Sequence, residues 1–201
     1  MLVTDRYAAY NSTNPAERQT CLAHIIRRAK DIAQELSLLN NNYRDVKAES
    51  FCARIAKLFS IACKIGQKLS SGLLTIKETP AIEKKFLKKL KTYCAHELNF
   101  SAAETLRSKL IGKEIDQLFT FLRYPDVPPT NNQAEQSLRS IVIFRKIIFG
   151  THSASGLKTH SILPSLVLTA RRQGHHPREF LQILLTSDSP TAQAALFNNS
   201  S

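Results

Sequence analysis

Hydrophobic residues recur at intervals of three and four along most of the chain, a spacing that predicts amphipathic helices. The first long helix is predicted over Arg18–Leu39. Later helices are predicted over Ala48–Leu69, over Ala81–Leu98, from Ser101 to Leu122 with a bend or break at Gly112, over Gly156–Gln173, and over Pro177–Leu185. The pattern therefore predicts a protein that is mostly α by residue count.

Three segments do not follow the helical period. Met1–Thr4 has the character of the last residues of a strand, so that Asp5 would lie at a strand end. Ile141–Phe149 is rich in β-branched residues, and strand and helix are equally compatible with it. The small and polar residues from Ser187 onward predict a flexible tail.

Length and charge narrow the possible functions. A chain of 201 residues with 43% hydrophobic content can bury a sizeable core, and its length suggests one domain with an insertion. Lysine and arginine number 28 against 16 acidic residues, which gives a net charge of +12. This balance favours a polyanionic partner such as nucleic acid. The lysines between Ala81 and Leu98 are compatible with a solvated face or with a surface that follows phosphates.

The spacing of the cysteines and the length of the apolar runs indicate the cellular compartment of the protein and limit its possible metal sites. Cys21, Cys52, Cys63 and Cys94 are widely spaced with no CxxC pair, as expected of a reduced cytosolic protein. No apolar run approaches the roughly 20 residues needed to cross a bilayer. Cys21 with His24, and Cys94 with His96, could form a zinc site only if all four converged, so packing is the favoured role for these residues.

A proline-stiffened stretch, Pro125–Gly150, contains the most informative carboxylate. Pro128 and Pro129 cannot continue a helix, and the asparagines that follow can accept backbone N–H bonds, so a helix is predicted to begin here with Glu135 in its first turn. Arg139 would lie four residues further on the same face. A capping box formed by Asn132 and Glu135 is the structural alternative to a chemical role. For Asp5, the alternative is a turn-initiating aspartate.

Three segments resemble one family of bacterial DDE transposases, the insertion-sequence-sixty-six family. PPTNNQAEQSLRSIVIFRK resembles its signature NN-x-x-E-R-x-L-R-x-x-x-x-R-K, with Gln136 in place of the first arginine. VTDRYAAYN resembles its T-D-G-Y-x-x-Y, and CLAHIIRRAK its C-W-A-H-x-R-R. The segments occur in the family's order and span nearly the whole chain.

The resemblance implies roles for named residues. Asp5 would be the second and Glu135 the third acid of the catalytic triad, and together they would bind Mg²⁺ as part of a two-metal site. The first acid would lie upstream of Asp5, so we expect the site to be incomplete and this fragment inactive alone. His24, Asn132 and Arg139 would support the acids, and the DNA contacts would come from Arg27, Arg28, Arg145 and Lys146.

The resemblance also implies a domain organisation. The fold class would be α/β by family, a partial ribonuclease H-like core with a large helical insertion. Residues 1–40 would begin the core, 41–124 form the insertion, 125–186 complete the core, and 187–201 form the flexible tail.

The expected partners are DNA, as transposon ends and target, with a full-length transposase or a second copy of this chain as further candidates. The expected location is the bacterial cytoplasm at the nucleoid, with no membrane association. Two alternatives remain open: a non-catalytic basic module that binds DNA or a transposase, and a helical bundle in which both acids are turn and cap residues.

Overall fold

A computed structural model describes residues 2–5, 17–40, 45–112, 114–147, 149–150 and 153–197. Within these ranges the chain is mostly helical and contains a single parallel pair of strands, β1 (Leu2–Thr4) and β2 (Arg18–Thr20). Leu2 lies opposite Arg18 in the register, and Thr4 opposite Thr20. The mostly helical character is as predicted, but Arg18–Thr20, expected to begin a helix, forms a strand. Residues 6–16, which include Tyr7 and Tyr10 of the VTDRYAAYN segment, lie outside the described ranges.

The helices lie close to the predicted ranges, and the chain divides into two compact units, Met1–Glu135 and Gln136–Ser201. None of the helices in the described ranges is both long and apolar enough to cross a membrane. The helices are α1 (Leu22–Ser37), α2 (Val46–Ser70), α3 (Thr79–Tyr93), α4 (Ser101–Ile111), α5 (Asn132–Ile147), α6 (Ala154–Arg172), α7 (Pro177–Thr186) and α8 (Ser189–Phe197), with single 3₁₀ turns at Ile76–Glu78, Ile115–Gln117 and Thr120–Leu122.

The core of the first unit lies between α1, α2, α3 and α4. Each helix contributes the apolar face that its period predicts, for example Ile25 and Ile32 from α1 and Ile55 from α2, all fully buried. Phe119 stacks on Phe59 of α2 and Phe86 of α3, with ring centroids 5.8 Å and 5.4 Å apart. The segment that follows α4 is thereby fixed against α2 and α3.

A buried glutamine joins strand β2 to this same segment. Gln19 is fully buried, and its side-chain amide donates to the carbonyls of Thr20 and Leu118 at 2.7 Å and 3.1 Å. Its side-chain oxygen accepts from the N–H of Phe121 at 2.9 Å, and the Thr120 hydroxyl donates to the carbonyl of Arg18 at 2.7 Å. Because a buried amide is stabilising only when its hydrogen bonds are made, this set of contacts fixes β2 on the helical part of the unit.

Glu104 connects α4 to the end of α3. Its carboxylate accepts from Arg107 Nη2 at 2.6 Å, Arg107 Nε at 2.7 Å, Ser108 Oγ at 2.9 Å and the N–H of Leu98 at 2.9 Å. Arg107 Nη1 also donates to the carbonyl of Cys94 at 2.9 Å. Glu104 therefore binds the N–H of Leu98, in the loop before α4. The Arg107 hydrogen bonds lower the pKa of Glu104 to about 2.

The second unit contains a small cluster formed by Ala170 of α6, Phe180 of α7 and Leu196 of α8. α6 begins at a cap in which Ser153 Oγ accepts from the N–H of Gly156 at 3.0 Å. α8 differs from the flexible tail predicted for 187–201, since Ala192 and Leu196 are buried; residues 198–201 lie outside the described ranges. The sequence of residues 141–149 is equally compatible with strand and helix; the structure shows that Ile141–Ile147 is helical, as part of α5.

Replacing Glu104 by glutamine should destabilise the protein in a pH-dependent way. The pKa of Glu104 is lowered in the folded state, so its contribution is fully present above the ordinary value of 4.5 and is lost as the pH falls toward about 2. We expect Glu104→Gln to lower the free energy of unfolding by about 1–2 kcal/mol at pH 7, after allowance for solvent screening of a partly exposed pair. Urea unfolding of both proteins between pH 7 and pH 2 measures this, and the difference should shrink below pH 4.5.

Asp31→Asn provides the control, since Asp31 is an exposed carboxylate on α1. Its free energy of unfolding should follow that of the wild type at every pH. A Glu104→Gln variant with wild-type stability at pH 7 would contradict a structural role for the Glu104 and Arg107 pair.

Candidate functional site

The candidate site lies at the carboxyl end of the parallel strands. The N–H of Cys21 donates to the carbonyl of Thr4 at 2.7 Å, directly past the last paired residues. Asp5 follows Thr4 and is half-buried. In a parallel pair both strands end at the same edge, so Asp5 and Cys21 leave the sheet together. Such an edge is where open α/β sheets bind ligands.

The loop before α5 is hydrogen-bonded to the start of α1. The N–H of Leu22, the first residue of α1, donates to the carbonyl of Pro129 at 3.0 Å. The N–H of Asn131 donates to Cys21 Sγ at 3.4 Å. The first N–H groups of a helix have no acceptor within the helix, and the Cys21 side chain provides no cap for α1. The Pro129 carbonyl therefore supplies the acceptor that the helix itself lacks.

Glu135 enters the site from the first turn of α5. The N–H of Glu135 donates to the carbonyl of Asn131 at 3.0 Å, which makes Asn131 the residue before the helix and Asn132 its first residue. The predicted capping-box spacing of Asn132 and Glu135 is thus one residue out of register. Glu135 Oε1 instead lies 3.4 Å from His24 Nε2, and the two side chains are 41% and 24% exposed.

Two polar atoms of this region have no hydrogen-bond partner among the described residues. They are His24 Nδ1 and Asn131 Oδ1, both buried. Leaving such an atom unsatisfied costs about 1–3 kcal/mol, and unsatisfied polar atoms call for a specific explanation. Asn131 Oδ1 and His24 Nδ1 therefore remain available to accept or donate a hydrogen bond or to bind a ligand. Asn131 contacts Cys21 through its N–H, and His24 contacts Glu135 through Nε2.

A glycine of α2 sets the distance between the helical region and this loop. A Cβ built on Gly66 would lie 2.8 Å from Cγ and 3.0 Å from Cδ of Pro129, and 3.2 Å from Cδ2 of Phe121. Only a residue without a side chain permits this approach. The proline that precedes Glu135 by six positions is therefore packed directly on α2.

The other predicted site residues occupy exposed positions. Asn132, Arg139, Arg145 and Lys146 are exposed on α5, the last three in the second unit. Arg27 and Arg28 are exposed on α1, where Arg28 Nη1 lies 3.4 Å from Glu35 Oε1. An ion pair this exposed contributes little to stability.

The donor chemistry suits Mg²⁺ in type but not in number. Asp5 and Glu135 offer the carboxylate oxygens that a hard cation prefers. Across the described ranges, however, no group of three or more His, Cys, Asp or Glu residues is arranged to hold a metal ion. All four cysteines are free, and burial raises the pKa of Cys52, Cys63 and Cys94 to about 11, which disfavours the thiolate form that binds metals.

Sequence reasoning missed three contributors to the site: the thiol of Cys21 as an acceptor, the carbonyl of Pro129 and the absent side chain of Gly66. The first two act through contacts between residues more than 100 positions apart, for which a single sequence has no signal. Gly66 does have one, because a glycine inside a strongly periodic helix is unfavourable and often indicates close packing.

Comparison with known proteins identifies one family. The family model described as "Transposase IS66 family" matches residues 1–159 of the 201. No curated protein and no solved structure matches the chain.

Replacing Gly66 by alanine should displace the loop that precedes Glu135. Alanine gains about 0.5–1 kcal/mol within a helix, whereas forcing a methyl group against a rigid proline ring typically costs about 1–3 kcal/mol. We expect a net loss of about 1 kcal/mol in urea unfolding, together with faster hydrogen exchange at the N–H of Leu22.

A double-mutant cycle with Pro129→Ala provides the control. With the ring removed, Gly66→Ala should become neutral or stabilising. A stabilising effect of Gly66→Ala in the wild-type background would contradict the close contact.

Proposed function

Because the chain belongs to the transposase IS66 family, we propose that Asp5 and Glu135 are two of the three carboxylates of an insertion-sequence transposase that cleaves and joins DNA. Its partners are transposon ends and target DNA, and its site of action is the bacterial nucleoid. The matched region includes both acids and all three motifs.

The observation that supports this proposal best is the continuous set of hydrogen bonds from β1 to α5. Thr4 accepts from Cys21, Cys21 Sγ accepts from Asn131, and the Asn131 carbonyl accepts from Glu135. Two acids that are 130 positions apart in the sequence thus belong to segments joined at one edge of the sheet.

The residues have distinct proposed roles. Asp5 and Glu135 would be the carboxylates that hold Mg²⁺, which would supply electrostatic stabilisation of the phosphodiester oxygens when bound. His24, 3.4 Å from Glu135, orients that carboxylate. Leu22 and Cys21 hold the Pro129–Asn131 loop, and through it the start of α5, at the strand ends. Arg27, Arg28, Arg145 and Lys146 are exposed cations suited to contact phosphates.

The proposed catalytic set is incomplete in these 201 residues. The family resemblance implies a first acid in addition to Asp5, the second, and Glu135, the third. The fold in this proposal is part of a ribonuclease H-like core, with β1 and β2 as two of its strands and the helices from α2 to α4 as an insertion. In this proposal, an associated transposase would supply the first acid.

A second candidate function is a non-catalytic module that binds DNA or restrains a transposase. The observation that favours it is the net charge of +12 together with the exposed lysines of α3. In that case, DNA binding would be the whole function and both acids would be dispensable.

Replacing either acid should remove divalent-metal binding. We expect Mn²⁺, a paramagnetic substitute for Mg²⁺, to broaden the NMR signals of Asp5, His24 and Glu135 in the wild-type chain. Asp5→Asn and Glu135→Gln should each reduce this broadening by about tenfold or more, since a carboxamide is a much poorer ligand for a hard cation. Asp31→Asn, on exposed α1 surface, is the charge-matched control and should leave the broadening unchanged. Broadening that persists in both acid variants would refute a shared metal site.

The isolated chain should not cut or join DNA. Two carboxylates cannot hold two cations in the geometry that phosphodiester chemistry requires. The measurement is incubation of the 201-residue chain with supercoiled plasmid in Mg²⁺ and in Mn²⁺, followed by gel analysis. Nicking that disappears in Glu135→Gln would show that the catalytic set is complete in this chain, contrary to our proposal.

A further inference from the structure

One face of α3 carries a basic groove. Its volume is about 630 Å³, and its lining comes from α3, including Pro80, Lys84, Leu87, Lys88 and Lys91. The three lysines lie at positions i, i+4 and i+7 and so share one side of the helix over two turns. Pro80 and Leu87 are apolar members of the same lining.

The lysines of this helix are not neutralised by neighbouring residues. Lys84, Lys85, Lys88, Lys89 and Lys91 are all exposed, and none of them forms an ion pair with another described residue. Lysines four residues apart on a helix repel each other and destabilise it by a few tenths of a kcal/mol per pair. An accumulation of positive charge without partners is complementary to a polyanion.

The one carboxylate that the described residues contribute to the groove lining, that of Glu83, forms an ion pair with an arginine outside α3. Glu83, the acidic residue of α3, has its carboxylate Oε1 3.4 Å from Nε of Arg123, which also donates from Nη2 to the carbonyl of Asp116 at 2.9 Å. Glu83 is 20% exposed and Arg123 43% exposed. Arg123 therefore offsets the negative charge that would otherwise lie beside Lys84 and Lys88.

We propose that the α3 groove binds the phosphate backbone of duplex DNA through Lys84, Lys88 and Lys91. This inference rests on the proposed function, in which DNA is the substrate, and adds a surface in the helical region that is separate from Asp5 and Glu135. Lysine ammonium groups contact phosphates without reading bases, so the groove holds DNA irrespective of sequence. Its role is to hold the duplex while other residues act on it.

Two pairs of lysines on the same helix allow a matched test. Lys84 and Lys88 line the groove, whereas Lys85 and Lys89 lie about 100° around the helix with the same i, i+4 spacing and the same charge. Binding of the full chain to a fluorescent random-sequence DNA duplex is measured by anisotropy across a salt series. Lys84→Gln/Lys88→Gln should weaken binding about tenfold near 0.1 M salt and reduce the slope of log K against log salt by about 2. Lys85→Gln/Lys89→Gln should change the affinity less than about twofold and leave the slope unchanged.

A second pair of variants tests whether Arg123 assists DNA binding by neutralising Glu83. Arg123→Gln should weaken DNA binding, because it removes one cation and exposes the Glu83 carboxylate to the groove. Arg123→Gln/Glu83→Gln restores the original charge sum and should recover most of the affinity. Circular dichroism of every variant verifies that α3 is intact, and loss of like-charged lysine pairs should not lower thermal stability.

The outcomes separate this proposal from the proposed function. The difference between the two lysine pairs should persist in a Glu135→Gln background, so loss of metal binding with that difference intact affects only the catalytic proposal. Equal effects of the two lysine pairs, or no DNA binding at low salt, would overturn the proposal that the α3 groove binds DNA. Tighter binding to an RNA duplex of the same sequence, abolished by Lys84→Gln/Lys88→Gln, would replace DNA by RNA as its partner and also overturn the proposal.

Discussion

The candidate site depends on an acceptor that α1 cannot provide for itself. The first N–H groups of a helix need partners from outside it, and Leu22 finds its partner in the carbonyl of Pro129. A hydrogen bond of this kind contributes about 0.5–1.5 kcal/mol when made and costs about 1–3 kcal/mol when left unmade in a buried place. Because only Cys21 separates Leu22 from β2, this requirement brings the loop before α5 to the strand ends. The position of Glu135 follows from that loop.

The helical region supports the site as well as filling the middle of the sequence. α2 packs on Pro129 through Gly66, and Phe119 fixes the segment that follows α4 between α2 and α3. Gln19 then links that segment to β2 through two hydrogen bonds, one to the carbonyl of Leu118 and one from the N–H of Phe121. Strand β2, which ends at Thr20, and the loop that begins at Pro129 are thus both braced by the same helices. Changes in the helical region should therefore be felt at Glu135 without any contact to it.

The helices could be predicted from the sequence because their signal is local. The apolar period of α1 to α4, Ser153 at the start of α6 and Pro177 at the start of α7 are all contained within a few turns. Strand β2 could not be predicted, since Arg-Gln-Thr has no apolar alternation and is a strand only because β1 and Gln19 give it partners. α8 was missed because its residues are mostly small, and burial of Ala192 and Leu196 depends on α6 and α7.

For the site, the sequence could identify Asp5, His24 and Glu135 as candidates through their motifs. It could not reveal that Glu135 faces His24 in place of a cap, because that depends on where α5 begins. A shift of one residue, with Asn131 rather than Asn132 before the helix, separates the two arrangements. Local sequence allows both, and the contacts of Asn131 with Cys21 select one.

The hydrogen bonds of Gln19 have a kinetic consequence. They join residues 99 and 102 positions apart, whereas the contacts within each helix are local. Closing a chain segment of that length costs conformational entropy that short-range contacts do not, and long-range pairing is correspondingly slow. On the ribosome, α1 to α4 can form as they emerge, but the hydrogen bonds of Gln19 must wait until Leu118 and Phe121 have been synthesised. The attachment of β2 to the helical part of the first unit is therefore a late step in the assembly of that unit, and nascent chains that stop short of Leu118 would have α1 to α4 without it.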